Sequence, residues 1–321
     1  MRLPRCLTFI LMPTVVAGSL SCTPAERPSD PGFRVRLVTS TTLSGRWERE
    51  AERGLGLIAA ELDADIARTR AVGAADQRRE LRRHGEEGID LVFCVGPEAE
   101  TLVYTEAVAF PDTDFVILPG NVDGANIASV AFMPEEAGYL AGAVAAGVGE
   151  PDAVGLLRGS GRPWLEHLET GFAAGSSATR PGIELLTARG PDGPWELIQG
   201  GAEIALYSTD RIEPRVLAAA HDAGLLLIAA DPALMAAESE IVIASVSVDV
   251  ADAMLRIARE VRDHRFIGQV FAFDLGSGVL DVVLNPELVD DERTAGLREA
   301  LERARSEITA GWVEIEELGL D

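Results

Sequence analysis

From Arg34 onward the sequence predicts an α/β protein made of two doubly wound, parallel-sheet lobes with a ligand cleft between them. Three observations carry this. Short apolar runs alternate with amphipathic helical runs, which places parallel strands between helices on both faces. The alternation breaks near 147–152 and then restarts, so two similar units follow one another. The chain has 321 residues, enough for two cores.

In the first unit "RVRLVTS" reads as a strand and is followed by a helix near 45–62. "DLVFCVG" precedes a helix over 98–110, "DFVILPG" comes next, and "IASVAF" leads into the helical "PEEAGYLAGAVAAGV". The second unit runs "AVGLLRG", helix 163–177, "GIELLTA", a helix near 195–200, "AEIALYS", helix 212–223, "LLLIAAD", "IVIASVSV" and helix 250–264. A further helical pattern covers 291–310. One lobe is expected to hold 34–147 plus about 250–285, the other 148–249 plus part of 286–321. Doubly wound sheets bind ligands beyond the carboxyl ends of their strands. The segments to watch are therefore 40–47, 96–98, 119–121, 158–162, 207–215, 230–232 and 247–249.

The N-terminus has the layout of an export signal: "MRLPR" is basic, "CLTFILMPTVV" is apolar but short for a membrane span, and "AGSLSC" is small and ends in Cys22. Two readings stand. In one, residues 1–21 are removed, Cys22 is lipidated, and the polar, Pro-rich stretch 22–33 tethers the folded body to a membrane. Here Leu20 stands two residues before the cysteine, where the usual lipoprotein box has leucine three before. In the other, ordinary cleavage occurs near "AGS" or "SLS". The tether composition favours the first.

The formal net charge of -24 argues against nucleic acid as a partner. The sequence contains no lysine, and all 28 basic residues are arginine. That excludes a P-loop lysine, a Schiff-base lysine and a Ser-Lys dyad. His84, His167, His221 and His264 show no metal-ligand spacing, so neither metal nor cofactor is expected. Cys94 sits in the apolar "LVFCV" and reads as a small buried hydrophobe. "GSG" at 159–161 and at 276–278 is not GxSxG, and in "RGSGRPW" the third glycine position of a dinucleotide fingerprint is Trp164. Asp231 is either a helix cap before Pro232 or a polar ligand contact.

The stretch from Gly88 to Ala146 resembles the basic membrane lipoprotein (BMP) family, the PnrA-like solute-binding proteins. The matching features are Val95 and Gly96 at a strand end, then Phe110 and Pro111 with Asp114 and Phe115. Asn126 and Ile127 follow, with Phe132, Glu135, Glu136, Leu140, Ala141 and Gly142. The likeness continues by pattern and order through "VGLLRGSGRPWLEHLETGFAAG", "GAEIALYS", "LLLIAAD" and "IASVSVDVADAM". The resemblance implies a type I periplasmic-binding-protein fold. It also implies a lipid-anchored, monomeric receptor outside the plasma membrane that closes on a nucleoside and delivers it to an ABC permease.

The family's binding residues carry over in part. Its base-stacking aromatic falls on Trp47, with Glu48 on the following Asn and Ser44 on the preceding Asp. The Asp ending its first strand falls on Ser40, and another strand-end Asp falls on Pro119. Its second stacking aromatic falls near Leu206, beside Tyr207, and its Gly-rich turn becomes "DRIEPR". Asp231 is kept, while its ribose-binding lysine falls on Val248. The ligand-binding set is therefore Trp47, Ser40, Ser44, Glu48, Asp231 and Tyr207. Trp47 also fits a core stripe with Ala51, Leu55, Ile58 and Leu62; its place after the first strand favours the cleft. Arg158 and Arg211, with Arg46 and Arg162 nearby, are candidate anion contacts, against the alternative of solvated loop arginines.

The favoured function is a solute receptor for a small planar metabolite, nucleoside or nucleobase-like, with recognition diverged from the family's purine nucleoside. The alternatives are a ligand-sensing receptor without transport and an exported enzyme, for which the sequence offers no nucleophile–base pair.

Overall fold

The computed structural model describes residues 32–41, 45–96, 98–149, 151–159, 163–209, 211–288 and 296–313. Cys22, the leader and the tether proper lie outside them, as do Ser44, Arg162 and Asp210.

The first lobe opens with β1 (Arg34–Ser40), α1 (Gly45–Leu62), β2 (Asp65–Ala71), α2 (Gly73–Glu86) and β3 (Leu91–Val95). It continues with α3 (Ala99–Glu106), β4 (Asp114–Leu118) and β5 (Ile127–Phe132). β3 is buried at every position, which explains its unbroken apolar run between two helical layers. β2 lies at the sheet edge and is mostly exposed, so its sequence "DIARTRA" carries no apolar run.

α4 (Pro134–Gly147) crosses to the second lobe, where β6 (Ala153–Arg158), α5 (Pro163–Thr179), β7 (Glu184–Arg189), α6 (Gly193–Gln199) and β8 (Ala202–Ser208) follow. Then come α7 (Pro214–Ala223), β9 (Leu226–Ala229), α8 (Pro232–Ala237) and β10 (Val242–Val248). The chain returns to the first lobe as α9 (Val250–Arg262) and β11 (Val270–Phe273), and ends in the second as β12 (Leu280–Leu284) and α10 (Leu297–Thr309).

The sheets have orders β11-β5-β4-β3-β1-β2 and β12-β10-β9-β8-β6-β7. They match strand for strand, apart from the antiparallel pairing of β12 with β10. Three crossovers join the lobes: β5 into α4, β10 into α9, and β11 into β12. One core cluster runs through both lobes, from Leu37 and Phe93 to Leu206 and Val246, and a smaller cluster backs each sheet.

Two expected lobe boundaries move. α4 was assigned to the first lobe, but it packs on strands of the second sheet and against α5. It is apolar on every side, so its sequence does not say which sheet it covers. Residues 280–284 also pass to the second lobe, because β12 pairs with β10. β2, α2, β11 and β12 have no counterpart among the expected elements, and α8 follows the cap reading of Asp231.

The contact between α4 and α5 is backbone to backbone. A Cβ on Gly138 would collide with the Leu168 carbonyl, and one on Gly142 with that of Phe172. In return, a Cβ on Gly171 would strike the Glu135 carbonyl and one on Gly175 that of Tyr139. Neither rotamer change nor side-chain movement relieves a clash with main chain. By contrast, Gly56 in α1 has open space around its Cβ direction. Gly142→Leu should therefore lower unfolding free energy by about 3 kcal/mol or more. Gly56→Ala should raise it by roughly 0.5–1 kcal/mol. Urea denaturation of the two variants checks both signs.

Asp114, at the start of β4, is partly buried beside Asp90. Burial first, and then the Asp90 charge, raise its carboxyl from 3.8 to about 6. The folded state thus binds this proton more tightly than the unfolded chain, and the stability linked to it is lost as pH rises from about 4 through 6. Asp114→Asn should stabilise the protein at pH 7 by about 1 kcal/mol, after allowance for partial exposure. The advantage should vanish below about pH 4 in melting curves.

Candidate functional site

The carboxyl ends of the two sheets meet at an aromatic cluster. Trp47, in the first turn of α1, is half-buried and packs against the shared core. Its ring lies 5.6 Å from that of Phe132 and 6.5 Å from that of Trp164, with the two indoles nearly perpendicular at 86°. Phe132 is in turn 6.2 Å from Phe273. Phe132 ends β5 and Phe273 ends β11, so both stand where the chain leaves the first lobe. Trp164, in the first turn of α5, belongs to the second. Trp47 therefore rests on the end of one crossover strand, is linked through Phe132 to the end of a second, and touches the opposite lobe. It packs with the core stripe and stands at the lobe junction.

α1 also forms one wall of a cavity of about 220 Å³. Arg49, Glu50 and Arg53 face residues 231–233 and 247–249 across it. Sequence reasoning missed the three α1 residues, although their helical spacing puts Arg49 and Arg53 on one face. Arg53 donates to Glu50 (2.7 Å) and to Asp249 (2.8 Å), and Asp249 at the same time caps α9 by accepting from the Asp252 amide (2.9 Å). The Glu50 contact is the largest influence raising the Arg53 guanidinium above its usual range. Asp231 lines the cavity and accepts from the Ala233 amide (2.9 Å), so it caps α8 and still presents a carboxylate to the cleft. A larger groove, about 340 Å³, runs between α7 and Glu238 after α8, but one lobe alone lines it. The interlobe cavity is the better ligand site on that ground.

The remaining candidate residues are dispersed. Ser40 is fully buried at the end of β1, with Gly96 so close that a Cβ there would lie 2.9 Å from its side chain. Gly96 has φ +142°, a conformation natural to glycine. Glu48 turns to the sheet edge and pairs with Arg70 of β2 at 3.0 Å. Tyr207 lies in the outer core of the second lobe, only 1 % exposed, and burial pushes its hydroxyl up to about 12. Its neighbour Leu206 is in the shared core, so the pleat sends the two to opposite faces and neither reaches the cleft surface.

Arg158 pairs with the buried Glu169 of α5, and Glu169 also accepts from the Ser208 hydroxyl at 2.5 Å. The guanidinium is thus committed within its own lobe. Arg211 is exposed; its amide and carbonyl bond the Thr209 hydroxyl. Ser44, Cys22 and the side chain of Arg46 lie outside the described residues. Cys94 is fully buried, and desolvation raises its thiol to about 12. Among the described residues no helix is long and apolar enough to cross a membrane, and no acidic, His or Cys group is arranged to hold a metal.

Comparison with known proteins fits this geometry. The Lactococcus lactis ABC transporter nucleoside-binding protein BmpA is 21% identical over 270 residues, covering 75% of each chain. An ABC transporter solute-binding protein from Conexibacter woesei has the same fold, with TM-score 0.73 at 18% identity over 88% of this chain and 98% of that one. So does a transcriptional activator of the comK gene from Bacillus halodurans, with TM-score 0.72 at 24% identity over 88% and 98%. Residues 35–189 match the family described as ABC transporter substrate-binding protein PnrA-like. Residues 35–189 are thus similar to the PnrA-like ABC transporter substrate-binding proteins, and the two-lobe fold continues past them.

Proposed function

We propose that the chain is the solute receptor of an ABC importer, held outside the plasma membrane by a lipid on Cys22 and acting as a monomer. Its ligand is a small, flat, uncharged metabolite of the nucleoside or nucleobase type, enclosed as the lobes close. The observation that carries this is Trp47, a half-buried indole at the lobe junction, on the helix that walls the interlobe cavity. Indole faces bind flat rings with little regard to their edges.

The charges support an uncharged ligand. The cavity wall carries two arginines, Arg49 and Arg53, against three carboxylates, Glu50, Asp231 and Asp249. Arg53 is already paired twice, and Arg158 is held by Glu169. An acidic ligand would meet a local excess of negative charge on a protein of net charge -24. Hydroxyl groups, by contrast, donate well to Asp231. The BmpA relative is described as nucleoside-binding, which agrees with this reading.

Thermal-shift and calorimetric titration of the full chain with adenosine, inosine, adenine and AMP test it. The nucleosides or adenine should bind, adding about 2.7 kcal/mol of stability at 100 times Kd, and AMP should bind more weakly than adenosine. Trp47→Ala should weaken binding by roughly 10- to 100-fold and cost about 1–2 kcal/mol of stability, because the ring also packs on Phe132. Failure of every nucleoside and base to bind, or tighter binding of AMP, would overturn the reading.

Arg158→Ala separates a ligand contact from a structural one. Removing the guanidinium leaves Glu169 buried and without its counter-charge. Stability should fall by about 2 kcal/mol, while affinity for the nucleoside stays within about 2-fold. A large loss of affinity at unchanged stability would place Arg158 in the ligand site instead.

A further inference from the structure

Bending between the lobes falls on the three crossovers that join them. Two of these run side by side. β5 and β11 are paired as far as Phe132 and Phe273, the last residues of both strands. The ladder goes on for one bond past the sheet, from the Met133 amide to the Phe273 carbonyl (3.2 Å). Beyond it the contact passes to a side chain: the Leu275 amide donates to the Glu136 carboxylate at 2.8 Å. Glu136 lies in the first turn of α4. Leu275 opens a short 3-10 turn, Leu275–Ser277, which Asp274 caps by accepting from the Ser277 amide (2.8 Å). Both partners thus sit just past the point where the chain leaves the first sheet. The place does not suit a carboxylate. Glu136 is half-buried, and burial raises its carboxyl above the usual range; the Leu275 bond lowers it in part, and the nearby charges of Asp274 and Glu135 raise it further. Glu135, one residue earlier, already satisfies the dipole of the first turn.

We propose that Glu136 is a hinge-positioning residue: its carboxylate pins the first crossover to the third, so that the two bend as one unit at Phe132–Met133 and Phe273–Asp274, and it thereby sets how readily the lobes close. It touches no ligand itself. The proposal rests on the receptor reading above. The second crossover is laced to the third as well, where the Asp249 amide donates to the Val279 carbonyl (2.7 Å) beside the β10–β12 pair. Of these three bonds between crossovers, the Glu136 bond alone uses a side chain. Without it the first and third crossovers bend separately, and the ligand-free chain reaches more lobe orientations. Closure then has to give up that added freedom. Affinity falls by the smaller share of chains poised to close, although nothing in the cleft has changed.

The test uses the full chain with Glu136→Gln, Glu136→Leu and Glu135→Gln. Glutamine keeps an acceptor oxygen for the Leu275 amide, whereas leucine keeps bulk and removes it. Hydrogen exchange at the Leu275 amide and small-angle X-ray scattering are read without ligand, and inosine and adenine affinities by calorimetry. In Glu136→Leu, exchange at Leu275 should quicken by about 10-fold, the scattering should show a larger and broader spread of dimensions, and inosine affinity should fall by about 5-fold or more. Glu136→Gln should stay within about 2-fold of the parent in exchange and affinity, and Glu135→Gln should match the parent throughout. Scattering and inosine affinity unchanged in Glu136→Leu would reduce the Leu275 bond to a local cap and overturn the hinge role, with the receptor reading left standing. If the parent binds neither inosine nor adenine, the receptor reading fails, and the ligand-free scattering decides the hinge by itself: a broadened spread in Glu136→Leu supports the pin, and a curve identical to the parent's overturns it.

Discussion

Four glycines let α4 and α5 meet main chain to main chain, and the arrangement of the cleft follows from that contact. α4 is the first segment to leave the first sheet for the second. Its closeness to α5 therefore fixes where the second lobe begins relative to the strand that feeds it. α5 carries Trp164 in its first turn and Glu169 in its second, and Glu169 ties down Arg158 and Ser208 at the ends of β6 and β8. A helix pair held only by interdigitated side chains would sit about 8–10 Å apart axis to axis. Glycine at the contact removes that spacing and much of its freedom to slide. The cost is conformational, since glycine weakens a helix by about 1 kcal/mol per position. It is offset by the long apolar contact that the close approach allows.

The electrostatics are local and internally paired. With a net charge of -24, stray cations would be expected to find carboxylates, and the cleft shows this. Arg53 bridges Glu50 and Asp249, Arg70 holds Glu48, and Arg158 holds Glu169. Arginine suits the task because its planar fork can serve two carboxylates at once. The Arg53 bridge also joins α1 to the cap of α9, so the wall of the cavity and the β10 crossover are braced together. In the receptor we propose, recognition is left to ring faces and to the capping carboxylate of Asp231.

Much of the fold was legible because burial writes itself into composition. β3 and β9 are buried throughout, β4 is buried after Asp114, and all three read as apolar runs; the helix expected near 45–62 spans Gly45–Leu62. The edge strand β2 was invisible for the opposite reason, being exposed at alternate and further positions. α2 follows it and is too polar to stand out. The lobe boundary failed at α4, where a helix apolar on every side beyond its first turn gives no direction to its packing. The site was less legible. Tyr207 and Leu206 are adjacent, and only the pleat decides which face each takes. Arg49 and Arg53 look like any solvated helix face until a second lobe is brought opposite them. Trp164 reads in sequence only as the residue that breaks a glycine motif, because its contact with Trp47 exists only once the two lobes meet.

Trp47 was ambiguous in sequence because the two roles it suggested are physically joined. One side of the indole lies on Phe132, which ends β5 just before the crossover into α4, and Phe132 lies on Phe273, which ends β11 just before another. The indole also reaches Trp164. A ring held this way cannot shift to accommodate a ligand without moving the side chains at two of the three crossovers. In the receptor we propose, stacking on Trp47 and bending between the lobes therefore draw on the same contacts. An aromatic on a solvent-facing loop could supply the stacking, but it would leave the crossovers unaffected by whether a ligand is present.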